Sequence, residues 1–146
     1  MHLVINGSDL GRQRGGNESY LVGMLDGMAP VAGEASVQIS LIVAGEGARL
    51  LGEKAEWRDF RAIDVGAYRR LPFLLWQQTL ALRNLRPDWM ISTFFLPPVI
   101  PCQAAVLIHD LSFRAHPEYF PRSIALYNRL LAGLAIQRAD LVVALS

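Results

Sequence analysis

The sequence predicts an α/β domain: a doubly wound, mostly parallel sheet covered on both faces by helices. Three observations carry that prediction. Short apolar runs alternate along the chain with longer stretches whose apolar residues recur every three to four positions. The run at residues 104–108 is near-continuous, as in a strand buried on both faces. At 146 residues the chain has one domain's length, and its apolar share, glycine included, exceeds the usual 45–50% or so.

The first strand is His2–Asn6, stopped by Asn6-Gly7, and a polar, glycine-rich loop runs on to Gly16. A helix follows from Asn17, whose side chain is placed to cap free N–H groups; Tyr20, Leu21, Met24, Leu25 and Met28 share one face. Pro30 and Gly33 are expected to end it. Val37, Ile39, Leu41 and Val43 alternate as a second strand closed by Gly45 and Gly47, and residues 60–65 form a weaker third. Residues 72–85 read as a helix with Pro72 in its first turn, Arg83 and Arg86 at its C-terminal end, and Pro87 behind it. Residues 89–92 are a strand, 93–101 a proline-rich loop, and 104–108 the next strand. Ile124, Tyr127, Leu130, Leu131 and Leu134 mark a helix begun at Pro121, and residues 141–145 a last strand. This order is that of a Rossmann-like domain, in which ligands bind beyond the carboxyl ends of the strands. Attention falls on the loop after Asn6, the loop after Ser92, the pair His109-Asp110, and the end after Leu145.

Several classes are disfavoured. A net charge of +1, with basic and acidic residues balanced along the length, argues against nucleic acid. Cys102 is the only cysteine, so an intrachain disulfide and a cysteine-based zinc site are excluded, and His2 and His116 do not complete a metal set with His109. The start carries no signal-peptide pattern, and the most apolar stretch, from Leu130, is broken by Gln137, Arg138 and Asp140. A cytoplasmic protein is the expectation. The glycines at 7, 11, 15 and 16 do not spell G-x-G-x-x-G, which disfavours a nicotinamide enzyme; no P-loop and no G-x-S-x-G elbow occur.

Four places could carry chemistry. Gly15 and Gly16 precede a helix N-terminus, where backbone can approach a phosphate or a sugar; a plain flexible connection is the alternative. His109 and Asp110 end a buried strand at the ligand edge, and His109 could donate to a sugar hydroxyl, shuttle a proton, or simply brace a neighbouring loop. Thr93 and Phe94 open a stiff apolar loop that either walls a pocket or plugs the domain's own edge. Residues 69–76, with Arg69, Arg70 and Trp76, combine two cations with large apolar side chains. They suit either an anionic lipid surface or an ordinary core-facing helix.

The run Val106-Leu107-Ile108-His109-Asp110-Leu111-Ser112-Phe113 is followed by His116-Pro117-Glu118-Tyr119-Phe120-Pro121. With Arg138-Ala139-Asp140-Leu141-Val142-Val143-Ala144-Leu145-Ser146, it resembles glycosyltransferase family 4, specifically the N-terminal domain of these retaining GT-B-fold enzymes. The Gly15-Gly16 loop with Glu18 and Tyr20 looks like the family's opening. The likeness leans toward mannosyltransferase-like members that build surface polysaccharides. It implies that residues 1–146 are the acceptor-side half of a GT-B fold, acting with a C-terminal donor-binding domain on a GDP- or UDP-linked sugar and a glycan or lipid-linked acceptor, without metal or other cofactor. It further implies that His109 approaches the donor sugar as the catalytic histidine. Gly15 and Gly16 would line the interdomain cleft, and Asp110, Thr93 and Phe94 would shape the acceptor side. The family's E-x7-E motif is not in this sequence. A truncated or split enzyme, inactive alone and working at the inner face of the membrane, is the resulting expectation; a non-catalytic binding or scaffolding domain is the alternative.

Overall fold

The computed structural model describes residues 1–12 and 15–144. Six strands form one sheet: β1 His2–Asn6, β2 Gln38–Val43, β3 Arg61–Asp64, β4 Trp89–Thr93, β5 Gln103–Ile108 and β6 Leu141–Ala144. Every pairing is parallel and the order is β3-β2-β1-β4-β5-β6. The chain therefore winds outward one way from β1, then returns to β4 and winds the other way. The doubly wound architecture expected from the sequence is what forms. Residue 145, expected to end the last strand, lies outside the described residues.

The near-continuous apolar strands feed two cores, because successive side chains point to opposite faces. Leu3, Ile5, Ile39, Leu41 and Val43 face one side, with Leu10, Leu21, Leu25, Leu51, Trp57 and Phe60. Val4, Ile42, Met90, Ala104, Val106 and Ile108 face the other, with Phe73, Leu82, Leu96 and Ala135. The first core is covered by α1 (Gly16–Glu34), α2 (Glu46–Glu53) and a 3₁₀ turn, Ala55–Trp57. The second is covered by a helical stretch of three pieces: α3 (Arg70–Pro72), a wide π turn (Phe73–Gln77) and α4 (Gln78–Leu85). The long helix α6 (Arg122–Arg138) completes that layer, after short α5 (Ser112–Ala115) and a 3₁₀ turn, Pro117–Tyr119.

Several local expectations are corrected. Pro30 and Gly33 lie inside α1 and do not end it. The proline removes a single N–H donor, while Ala29 and Ala32 still pack on the core, so tertiary contact carries the helix on to Glu34. The turn is made instead at Ser36, at φ +52°. Asn17 is not the cap of α1: Gly15 occupies that position, at φ 68° and ψ −135°, with no side-chain cap bond. Helical structure before α4 begins at Arg70, ahead of Pro72. In α6 the small residues Ala125, Ala132 and Ala135 are buried, while Ile124, Leu130 and Leu134 face solvent. Their three-to-four spacing located the helix correctly, but alanines let it approach the sheet closely.

The connection from β4 to β5, residues 94–102, has no helix of its own. Arg138 donates to the carbonyls of Pro97 at 3.0 Å and Pro98 at 2.6 Å, and Thr79 Oγ1 donates to that of Val99 at 3.0 Å. Leu96 inserts into the second core. These anchors replace the crossover helix that parallel neighbours usually require.

Candidate functional site at the β1/β4 switch

Sheet order reverses between β1 and β4, and in such sheets the crevice beyond the carboxyl ends at that point is where ligands bind. Two buried polar residues pin it. Asn6, at the end of β1, donates through Nδ2 to Ser92 Oγ at 2.8 Å, and Ser92 donates on to the Phe95 carbonyl at 2.6 Å. Asn6 Oδ1 accepts the Ser8 N–H at 3.1 Å. One amide thus ties together the ends of both strands and the first turns of both loops, leaving neither polar side chain orphaned.

Over this link lies a cleft of about 540 Å³. The loop after β1 contributes Ser8, Asp9 and Arg12, the end of β4 contributes Thr93, the loop behind it Phe94 and Phe95, and the segment after β5 Asp110, Ser112 and Phe113. Asn17, Tyr68, Arg70, Phe120 and Asn128 close it. Amides, hydroxyls and charges interleaved with aromatic rings suit a hydroxyl-rich ligand, since donors and acceptors fix its polar groups while rings pack against its apolar faces.

Thr93, Phe94 and Asp110, singled out in the sequence, all line this cleft. Phe94 holds a left-handed backbone, φ 58°, fixed by its N–H to the Leu107 carbonyl at 3.1 Å. Its loop both walls the cleft and, through Leu96, plugs the core, so the two alternatives coexist. Asp110 Oδ1 accepts both the Ser112 N–H, at 2.8 Å, and the Ser112 hydroxyl, at 2.5 Å. These bonds lower its pKa, and it is a carboxylate acceptor at neutral pH.

His109 stands beside the cleft and is not among its lining residues. Its ring meets Tyr20 edge-on, centroids 4.4 Å apart, and tilts against Phe94 at 5.7 Å. Nε2 is buried without a hydrogen-bond partner. Burial lowers the histidine's pKa, against opposing pulls from Asp9 and Asp110, so the imidazole is neutral at pH 7. The unfolded chain therefore takes up this proton first. Stability falls as pH drops below about 6.5, and the loss levels off beneath the folded-state pKa. A thermal midpoint followed from pH 7 to pH 5 should drop further in the parent than in His109→Phe; parallel curves would remove this account.

Gly15 and Gly16 sit at the start of α1 and do not line the cleft. A Cβ added at either meets nothing within 4 Å. The glycines under real constraint are Gly7, Gly11 and Gly47. An added Cβ would come within 2.9 Å of a Val43 methyl, 2.8 Å of the Glu46 carbonyl carbon and 2.9 Å of the Leu10 carbonyl oxygen, respectively. Gly11 also donates its N–H to Glu18 Oε1 at 2.7 Å, tying the loop to α1. No sequence pattern marked Arg12, Tyr68 or Asn128 as site residues. They come from different elements, and only the packing of those elements over the sheet brings them together.

Among the described residues no cluster of three or more histidine, cysteine or acidic side chains could hold a metal ion, and no helix is long and apolar enough to cross a membrane. Fold and site together define a doubly wound α/β domain with a polar, aromatic-lined cleft at its switch point. No family model, no curated protein and no solved structure matches the chain.

Proposed function

We propose that this chain is the acceptor-side, N-terminal domain of a retaining, mannosyltransferase-like enzyme of glycosyltransferase family 4. It would move a sugar from a GDP- or UDP-linked donor to a glycan or lipid-linked acceptor in polysaccharide synthesis. The observation that carries this reading is convergence. The segment after β5, which holds the His109-Asp110-Leu111-Ser112-Phe113 part of the resemblance, meets the segments after β1 and β4 at one cleft whose lining suits sugar hydroxyls. Thr93, Phe94 and Asp110 would hold the acceptor, and Gly15 and Gly16 would offer backbone toward a facing donor-binding domain. His109 would act from the cleft's edge as a neutral donor to a sugar hydroxyl. Base and ribose recognition would belong to the second domain, so this domain alone should hold free UDP or GDP only weakly.

The test is transfer by the enzyme that pairs this domain with a donor-binding partner. His109→Ala should lower kcat at least about tenfold, about 1.4 kcal/mol in the barrier. Undiminished turnover in a His109→Ala, Gly16→Val double variant would sink the site assignment. A non-catalytic binding or scaffolding domain is favoured by one specific observation, the burial of His109 Nε2 outside the cleft lining. It predicts that His109→Ala changes stability alone.

The same reading places the protein at the inner membrane face. Leu71, Leu75, Trp76 and Leu80 are exposed on the helical stretch opened by Arg70, whereas Phe73, Ala81 and Leu82 turn inward. Exposed apolar side chains beside basic ones are what an anionic bilayer surface binds. Vesicles rich in anionic lipid should co-sediment the protein, and Trp76→Ser with Arg69→Gln should release it; retention of that variant argues against the contact.

A further inference from the structure

Two cations enter the cleft from elements far apart in sequence, Arg12 from the loop behind β1 and Arg70 from the first residue of α3. Each is held by an aromatic ring. The Arg12 guanidinium carbon lies 3.8 Å from the Tyr68 ring centre, and that of Arg70 lies 4.2 Å from the Tyr127 ring centre. The rings are themselves braced, Tyr68 by Phe73 at 5.3 Å and Tyr127 by Phe95 at 6.1 Å. Among the described residues neither arginine forms an ion pair with a carboxylate. Of the two acids that line the cleft with them, Asp110 is turned to the Ser112 N–H and hydroxyl.

A guanidinium stacked on a ring has already lost much of its rotamer freedom, yet its edge N–H groups still point outward as donors. Both groups line one polar cleft, and fork-shaped donors match the oxygens of a phosphate. We propose that Arg12 and Arg70 form an anion clamp that takes the phosphate of a sugar phosphate. Asn6, Ser8 and Asn128 lie along the same cleft to meet its hydroxyls. The clamp is a property of the cleft and holds whether or not the domain serves sugar transfer.

The experiment is calorimetric titration of the chain with glucose 6-phosphate, glucose, glucuronate and inorganic phosphate at low salt. Glucose 6-phosphate should bind at least about tenfold more tightly than glucose and more tightly than phosphate alone. Arg12→Gln with Arg70→Gln should remove that preference, with a thermal midpoint matching the parent. Arg→Lys at both positions should restore it only in part, because an ammonium cannot stack and fork together. Should the glutamine variant fold poorly, the lysine variant and the fall of the parent's affinity with added salt carry the same test. Equal affinity for glucose and glucose 6-phosphate overturns the clamp, as does no binding at millimolar ligand. Glucuronate binding as tightly as glucose 6-phosphate overturns its assignment to phosphate. Transfer by a two-domain enzyme without phosphate preference here would remove the clamp and leave the transfer reading intact; phosphate-selective binding without transfer would do the reverse.

Discussion

Replacing Trp57 by alanine is expected to destabilise the domain by about 3–5 kcal/mol, the cost of truncating a fully buried aromatic side chain. Trp57 sits in the 3₁₀ turn between α2 and β3 and is fully enclosed within the first core. Its indole N–H donates to Asp26 Oδ1 of α1 at 2.8 Å, and Lys54 Nζ lies 4.2 Å from its ring centre and 3.2 Å from the same carboxylate oxygen. The side chain thus closes the gap between α1 and the β2–β3 connection, where no long helix covers the sheet. Trp57→Phe keeps most of the apolar volume and should cost less. Asp26→Asn, at a half-exposed position, should cost about 1 kcal/mol or under. Urea denaturation followed by circular dichroism gives all three values. A Trp57→Ala cost no greater than that of Asp26→Asn would show that the cavity term is missing and that the turn is not a core element.

Trp57 also marks the limit of what the sequence could reveal. The strands were legible because parallel strands buried on both faces leave a local signature, and residues 104–108 or His2–Asn6 cannot be read as anything amphipathic. The helices α1 and α6 were legible by periodicity, yet the buried face of α6 was not, because periodicity reports where large apolar residues recur and not which neighbour admits them. Alanines against the sheet leave Leu126, Leu130 and Leu134 facing outward, and β6 leaves Leu141 and Val142 exposed. Much of the surplus apolar composition has therefore gone to the surface and not to the interior. The short helix α2 escaped because its glutamates and glycines bury only Gly47 and Leu51, too few positions for a repeat to show.

The site divided in the same way. Strand ends are a topological fact, and once strands are known the loops after Asn6, Ser92 and Ile108 follow. Asn6 and Ser92 end their apolar runs as the polar residues that link them. Arg70, by contrast, belongs to a segment whose sequence suits either a lipid surface or a core-facing helix, and neither alternative foretells that its guanidinium rests on Tyr127 of α6 and lines the cleft. A helix turns its residues through 100° each, so adjacent residues of one segment serve different surfaces. Arg70 faces the cleft while Leu71 and Leu75 face solvent. The constraint on glycines is hidden from the sequence for a related reason. A doublet such as Gly15-Gly16 catches the eye, but the need for glycine depends on what stands opposite, and that partner is remote in sequence.

Gly11→Val tests this directly and is expected to cost about 3 kcal/mol or more, combining backbone strain with a steric clash. Gly11 has φ +76°, a region that β-branched residues avoid. Its added Cβ would stand 2.8 Å from the Glu46 carbonyl carbon and 3.0 Å from both the Glu46 Cβ and carbonyl oxygen. These atoms belong to the first turn of α2, which runs close to the same loop again at Gly47, where an added Cβ would stand 2.9 Å from the Leu10 carbonyl oxygen. Gly15 at φ +68° and Gly45 at φ +55° are the controls. Each also has a positive φ, with ψ −135° and −115°, but neither has an atom within 4 Å of the added Cβ, so valine there should cost backbone strain alone, about 1–3 kcal/mol. The loop that Gly11 holds against α2 also carries Ser8, Asp9 and Arg12 into the cleft, so Gly11→Val should weaken sugar-phosphate binding even where enough folded protein remains to measure it. Equal destabilisation at all three glycines would show that the loop yields and that the close approach to Glu46 does not constrain it. Loss of binding at Gly15→Val as severe as at Gly11→Val would return the doublet to the site.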